Sequence, residues 1–157
     1  MKKQAFLILY NIRSTYNVGA IFRTADACGI SKIYLVGYTP APIDQFGRED
    51  KSIAKTALGA EKNIPWEKVK MIGPLLAKLK KNDMQIIAIE QASNSIHYKK
   101  VKPKFPCAII LGEEVKGMTK RILDKCDIIA EIPMKGKKES LNVSVAGGVA
   151  LFQILDV

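Results

Sequence analysis

The sequence predicts an α/β fold with a mainly parallel, six-stranded sheet and helices on both of its faces. Short apolar or β-rich runs of strand length recur along the chain, and segments with a helical spacing of apolar residues lie between them. Several of the short runs are almost wholly apolar, which is typical of parallel strands that are covered on both faces.

The predicted strands and helices alternate in chain order. The strands are expected at 5–10, at 32–37, weakly near Val69, and at 85–90, 107–111 and 127–132. The helices are expected at 18–28, 50–58, 73–81, 118–125 and 142–155. In the first helix, apolar residues recur at three-and-four spacing, Asn17 is the predicted N-cap and Gly29 ends the helix.

Residues 38–47 are predicted to form a long loop. This segment contains Pro40, Pro42 and Gly47 and follows the second predicted strand. We expect it to lie over the carboxyl edge of the sheet, where folds of this class bind their ligands.

Size and charge indicate a single domain with an anionic partner. The chain has 157 residues, of which 48% are hydrophobic, so residues 1–157 are expected to form one domain around one sizeable core. Lys and Arg number 25 against 15 Asp and Glu, a formal net charge of +10. Such a balance suits a polyanion, although a merely soluble basic protein would share it.

The cysteines and the apolar runs bear on the compartment of the protein. Cys28, Cys107 and Cys126 are widely spaced and stand in apolar surroundings, so neither a disulfide framework nor a metal knuckle is expected. With His97 as the single histidine, no metal site is predicted. The apolar run 5–10 is too short for a signal peptide, and no run approaches the roughly 20 residues that span a bilayer. A cytoplasmic protein with no membrane anchor is expected.

The glycine motifs of nucleotide-binding proteins do not fit this chain. Segment 11–14 reads NIRS after the first strand, which argues against a dinucleotide-binding GxGxxG loop. Segment 112–119 (GEEVKGMT) approaches the phosphate-binding pattern GxxxxGK[ST], but Met118 replaces the lysine. Glu113 and Glu114 would also repel phosphate, so this turn is expected to bind a different kind of ligand.

Three polar segments follow predicted strands and carry the clearest functional pattern. They are 11–23 (NIRSTYNVGAIFR), 109–118 (IILGEEVKGM) and 132–148 (IPMKGKKESLNVSVAGG). In this order they resemble the motifs of the TrmH/SpoU family of RNA ribose 2′-O-methyltransferases, which belongs to the SPOUT class. The likeness extends through 55–61 (KTALGAE) and covers nearly the whole chain.

The resemblance implies a fold, a cofactor and partners. It implies a carboxyl-terminal trefoil knot, S-adenosylmethionine as methyl donor, tRNA or rRNA as substrate, and a homodimer that brings the first and last helices together. It also implies that residues 1–157 are the SPOUT domain alone, without an amino-terminal RNA-binding extension.

The implied cofactor residues lie at strand ends and in the last two motifs. They are Ile89, Leu111, Gly112, Ile132, Met134, Ser140, Leu141 and Asn142. Apolar walls with a few polar groups suit an adenine ring, and a glycine permits close approach of the chain. Ordinary core packing is the alternative for the aliphatic members.

The implied catalytic residues are Arg23, Asn17, Glu114, Ser140 and Asn142. Arg23 is expected to bind a phosphate and stabilise the developing alkoxide, with direct proton abstraction as a more demanding alternative because a guanidinium stays protonated. A solvated helix arginine is the structural alternative. Glu114 is expected to pair with a motif residue, and Ser140 and Asn142 either orient the ligands or cap the last helix. Asn17 is likewise expected to bond across the site.

Basic residues near the motifs are expected to contact the RNA backbone. They are Arg13, Lys116, Lys135, Lys137 and Lys138. Two other functions stay open at this point: methylation of a base nitrogen by the same fold, and RNA binding without catalysis.

Overall fold

The computed structural model describes residues 3–157, which contain one parallel sheet of seven strands. The strands are β1 (Ala5–Tyr10), β2 (Lys32–Val36), β3 (Trp66–Val69), β4 (Gln85–Ile89), β5 (Ile96–His97), β6 (Cys107–Leu111) and β7 (Ile128–Glu131). Their order across the sheet is β3-β2-β1-β6-β4-β7-β5, and each neighbouring pair is parallel. The strands therefore end at a common edge, which we call the carboxyl edge.

The prediction of six strands was wrong, because the sheet has a seventh, short strand. The additional strand, β5, pairs Ile96 with Ala130 and His97 with Glu131 at the outer side of β7. Both of its residues are exposed at the edge of the sheet, so no apolar run marks the strand in the sequence.

The helices are α1 (Thr15–Ala27), α2 (Lys51–Ala57), α3 (Ala60–Asn63), α4 (Ile72–Lys81), α5 (Lys120–Leu123) and α6 (Val143–Leu155). The prediction that Asn17 caps the first helix was wrong. Ser14 is the N-cap, and its hydroxyl oxygen accepts a hydrogen bond from the backbone N–H of Asn17 at 3.2 Å. Asn17 lies in the first turn instead, so its amide is available for other contacts.

The helices cover both faces of the sheet because the strand residues alternate between two cores. Leu7 and Leu9 of β1 face the core formed with α1, α2, α3 and α6, where Phe22 is fully buried. Ile8 faces the opposite core, formed with α4 and α5, where Leu76 is almost fully buried. Each such side chain contributes about 1.5–3 kcal/mol through burial.

The strand order brings two loops together at the centre of the carboxyl edge. Strand β4 lies between β6 and β7, and the loops at 112–119 and 132–142 follow those two neighbours. The loop at 38–47 begins at the same edge, where the buried Thr39 hydroxyl accepts a hydrogen bond from the backbone N–H of Ile12 at 3.1 Å.

Candidate functional site

A cavity of about 270 Å³ opens at the carboxyl edge beside the ends of β4, β6 and β7. The first two turns of α6 close it from one side through Val143 and Ala146. We call it the strand-end cavity. Its lining consists of Ile89, Glu90, Gln91, Leu111, Gly112, Glu113, Glu114, Val115, Lys116, Gly117, Ile132, Met134, Glu139, Ser140, Leu141, Val143 and Ala146.

The structure brings together almost all of the residues that were predicted to bind a cofactor. Those in the cavity lining are Ile89, Leu111, Gly112, Ile132, Met134, Ser140 and Leu141. Asn142 is outside the lining and caps α6, where its side-chain oxygen accepts a hydrogen bond from the backbone N–H of Ser144 at 2.9 Å. Ile89 and Ile132 are only partly buried by the core, so their cavity-facing surface is available to a ligand. Leu111 is 2% exposed and packs mainly in the core.

The residues that follow β4 hold the two loops in place, and sequence reasoning did not identify them. The Glu90 carboxylate accepts a hydrogen bond from the backbone N–H of Met118 at 3.0 Å. The Gln91 side-chain amide donates to the carbonyl oxygen of Glu139 at 2.8 Å. A carboxylate directly after the apolar run 86–89 is the one sequence signal that could have pointed to this role.

Gly117 lies close to the Glu90 carboxylate. Its backbone has φ +62°, in the left-handed region. A Cβ atom built there would lie 2.5 Å from Oε2 of Glu90. A larger residue would therefore displace the carboxylate that anchors the loop.

A chain of hydrogen bonds joins three of the predicted catalytic residues. The Asn17 amide donates to Oε1 of Glu114 at 3.2 Å, and the Asn142 amide donates to Oδ1 of Asn17 at 3.3 Å. These hydrogen bonds link the first turn of α1, the loop after β6 and the start of α6. Asn17 thus uses both its donor and its acceptor to fix the relative position of two loops.

Arg23 lies apart from this network. It is exposed on α1 and does not line the strand-end cavity of its own chain. Ser140, in contrast, lines the cavity and is itself exposed. Among the predicted catalytic residues of a single chain, Arg23 is therefore separated from both the cavity and the hydrogen-bond network.

The predicted RNA-binding residues surround the cavity. Lys116 is part of its lining, and Lys135, Lys137 and Lys138 are exposed on the loop after β7. Arg13 is also exposed, with its guanidinium 5.4 Å from the centre of the Tyr38 ring and 3.8 Å from Glu113. The hydrogen bond to the Tyr38 hydroxyl, followed by the charge of Glu113, raises the pKa of Arg13 above its ordinary value. Arg13 is therefore a permanent cation beside the cavity.

The inside of the cavity has the opposite charge from its surroundings. Four glutamates line it, Glu90, Glu113, Glu114 and Glu139, against Lys116 alone. Aliphatic walls combined with carboxylates favour a ligand that is partly apolar and carries positive charge. A phosphate-rich ligand would be repelled from the same space.

Residues 3–157 contain neither a helix that could span a membrane nor a group of side chains that could hold a metal ion. None of the helices described there is long and apolar enough to cross a membrane. Nor does this part of the chain bring three or more His, Cys, Asp or Glu side chains together as a group that could hold a metal ion.

Relatives of known sequence match almost the whole chain. A TrmH family tRNA/rRNA methyltransferase assigned in Staphylococcus saprophyticus is 32% identical over 153 residues, which is 98% of this chain and 59% of the relative. The Bacillus subtilis protein YacO, assigned to the same family, is 32% identical over 154 residues, 95% of this chain and 57% of the relative. The chain thus spans somewhat more than half the length of these relatives.

Solved structures match the fold over the same extent. The AdoMet-bound rRNA methyltransferase from Sinorhizobium meliloti superposes with a TM-score of 0.85 at 26% identity, covering 98% of this chain and 56% of that one. The A. aeolicus TrmH/SpoU tRNA modifying enzyme has a TM-score of 0.85 at 27% identity, covering 99% of this chain and 75% of that one.

The family model agrees with both kinds of comparison. The model of the SpoU rRNA methylase family matches residues 4–152, which include all three motifs and the full lining of the strand-end cavity. This chain belongs to the SpoU rRNA methylase family, the TrmH/SpoU group that its motifs resemble.

Proposed function

We propose that this protein transfers a methyl group from S-adenosylmethionine to a ribose 2′-hydroxyl of tRNA or rRNA. The observation that carries the proposal is the strand-end cavity, where the second and third family motifs meet and supply the residues expected to hold the methyl donor. The names of the relatives support an RNA substrate, and the AdoMet-bound relative supports the cofactor.

The chemistry of the cavity fits this cofactor. S-adenosylmethionine has an apolar adenine ring and carries a sulfonium and an ammonium group against one carboxylate. Ile89 and Ile132 provide aliphatic surface for the ring, and the glutamates provide negative charge for the cationic groups. When bound, the cofactor supplies an electrophilic methyl group on its sulfonium sulfur.

The residues of the chain then act by position and charge. Glu114, Asn17 and Asn142 hold the loop after β6 against α6, which keeps the shape of the cavity fixed. Arg23 binds the phosphate beside the target ribose and stabilises the alkoxide that develops when the hydroxyl attacks the methyl group. This role does not require Arg23 to lose its proton.

A homodimer would bring Arg23 to a cavity. Val145, Val149 and Phe152 are exposed at 50%, 36% and 43% and follow one another at helical spacing on α6. We propose that this stripe packs against a second copy of the chain and that Arg23 of each copy reaches the cavity of the other. A monomer would then lack methyl transfer.

The strand order also supports the trefoil knot that the family resemblance implies. After β4, the chain runs outward to β5, returns to place β6 between β1 and β4, and then places β7 on the other side of β4. We propose that these crossings form the knot that holds the two loops together.

The function is tested by three measurements on the purified protein. Calorimetric titration with S-adenosylmethionine is expected to give one site per chain. Incubation of tRNA and rRNA with cofactor labelled in its methyl group is expected to transfer the label, and Arg23→Ala is expected to abolish transfer while it leaves cofactor affinity unchanged.

Nucleoside analysis of the labelled RNA then identifies the atom that is methylated. A ribose 2′-O-methyl nucleoside is the expected product. Methyl groups on a base would replace the ribose assignment by base methylation, and a protein that binds RNA but not the cofactor would be an RNA-binding protein without catalysis.

A further inference from the structure

A second cavity lies at the carboxyl edge on the opposite face of the sheet, beside α4 and α5. Its volume is about 640 Å³. We call it the basic cleft. Its lining consists of Tyr10, Asn11, Gly37, Lys70, Met71, Ile72, Gly73, Pro74, Leu76, Ala77, Thr119, Arg121, Ile122 and Lys125.

The basic cleft has positive charge without compensation. Lys70, Arg121 and Lys125 line it, and the lining contains neither aspartate nor glutamate. Within residues 3–157, none of these three cations takes part in an ion pair of 4.0 Å or less. Its charge is thus opposite to that of the strand-end cavity.

The cations converge from different elements. Lys70 directly follows β3, whereas Arg121 and Lys125 lie four residues apart in and just after α5. The Lys125 ammonium is held against the first turn of α4, 3.4 Å from the position of a Cβ atom built on Gly73. The first turn of a helix carries positive partial charge, which repels the Lys125 ammonium. An anion bound in the cleft would offset this repulsion.

The rest of the lining suits a nucleotide better than a free phosphate ion. The partly buried ring of Tyr10 and the exposed side chain of Met71 provide apolar surface next to the cations. RNA bases and riboses make contacts of this kind while their phosphates bind Lys and Arg.

The basic cleft is close to the strand-end cavity. Gly117 lines the strand-end cavity and Thr119 lines the basic cleft. These residues are two positions apart, so their Cα atoms are separated by at most about 7 Å. A single RNA strand can therefore extend from one cavity to the other.

We propose that the basic cleft binds a backbone phosphate of the RNA substrate, next to the nucleotide that is methylated. This inference rests on the RNA substrate of the proposed function. The cleft supplies sequence-independent affinity and orients the strand, while the strand-end cavity holds the methyl donor.

The test is a charge-removal variant with a matched control. The cleft variant carries Lys70→Gln, Arg121→Gln and Lys125→Gln. The control carries Lys81→Gln, Lys102→Gln and Lys104→Gln, which removes three exposed lysines near the starts of β4 and β6, at the opposite edge of the sheet. Binding of a fluorescein-labelled tRNA transcript is measured by anisotropy over a series of salt concentrations, together with calorimetric S-adenosylmethionine binding as a check on the fold.

The cleft variant is expected to bind the transcript at least about tenfold more weakly than the wild type at 0.1 M salt, with a salt slope shallower by about three. The control variant is expected to change both quantities much less. Lys70→Arg combined with Lys125→Arg retains the charge and is expected to bind as the wild type does. If the cleft variant disturbs cofactor binding, the single variant Arg121→Gln is used, with an expected reduction in slope of about one.

Equal RNA affinity and equal salt slope in the cleft and control variants would overturn this inference. That result is distinct from failure of the proposed function, which would appear in the wild type as absence of cofactor binding or methyl transfer. RNA binding is measured without methyl transfer, so the two results are independent.

Discussion

Glu90 holds the loop after β6 in the shape that forms the strand-end cavity. It directly follows β4, the middle of the three strands that end at the cavity. Its carboxylate accepts a hydrogen bond from the backbone N–H of Met118, a residue that is 6% exposed. A buried N–H group without an acceptor costs about 1–3 kcal/mol. The loop after β6 therefore keeps its conformation only while a hydrogen-bond acceptor occupies position 90.

Glu90→Ala is expected to weaken S-adenosylmethionine binding by about tenfold and to lower the free energy of unfolding by about 1–3 kcal/mol. Glu90→Gln retains an acceptor oxygen and is expected to recover most of both losses. Calorimetric titration and urea unfolding measure the two effects. An alanine variant that binds the cofactor as tightly as the wild type would contradict the role of Glu90 in holding the loop.

Cys126 gives a pH-dependent test of burial. Its half-buried thiol has a pKa that burial raises to about 11, with smaller opposing effects of Lys80 and Asp127. Its thiolate fraction at pH 8 should be about two orders of magnitude smaller than that of an ordinary thiol. Alkylation of native Cys126 should therefore be slow and should keep accelerating as the pH rises toward 11. Labelling at pH 8 as fast as in the urea-unfolded chain would contradict this.

At the scale of elements, strands could be predicted from the sequence more reliably than contacts between them. Strands β1, β4 and β6 are buried on both faces, so continuous apolar runs mark them. Strand β5 has two exposed residues and no such run. The start of α1 was misplaced because Ser14 and Asn17 are both good N-cap residues, and only tertiary structure shows that Asn17 bonds to Glu114.

The candidate site likewise contains some residues that could be predicted from the sequence and others that could not. Most of the residues predicted to bind the cofactor do line the cavity, because the family resemblance marks them. Glu90 and Gln91 line the same cavity but act on loops distant in the sequence, so they were not predicted. Their role depends on the position of β4 between β6 and β7, which follows from chain crossings rather than from local pattern. The basic cleft could not be predicted either, since its three cations come from two separate segments of the chain.

The exposed stripe of α6, formed by Val145, Val149 and Phe152, can be tested as a dimer interface. Val149→Glu combined with Phe152→Glu places charges in the middle of the proposed interface and is expected to give a monomer in light scattering. Cofactor affinity should change by less than about twofold, because neither residue lines the cavity, while methyl transfer should be lost. A double variant that remains dimeric, or a monomer with full methyl transfer, would contradict the proposed interface.

For the whole molecule, charge is segregated around the carboxyl edge. The chain carries a net charge of +10, yet four glutamates line the strand-end cavity. The basic cleft and the exposed lysines after β7 lie around that acidic space. A cationic methyl donor and an anionic RNA would thus be attracted to adjacent but different places, which favours their simultaneous binding.

In the proposed dimer, each active site combines the cavity of one chain with Arg23 of the other. The most direct measurement is methyl transfer by mixed dimers of two inactive variants. Arg23→Ala lacks the arginine, and Ala146→Phe fills the cavity, since Ala146 lines it. A heterodimer of the two retains one complete site, formed by the cavity of the first variant and the arginine of the second.

Each variant alone is expected to be inactive, and an equimolar mixture refolded together is expected to recover about a quarter of wild-type methyl transfer, because half of the dimers are mixed and each has one complete site. A mixture as inactive as its separate components, formed from variants that do associate, would contradict the claim that the active site is shared between two chains.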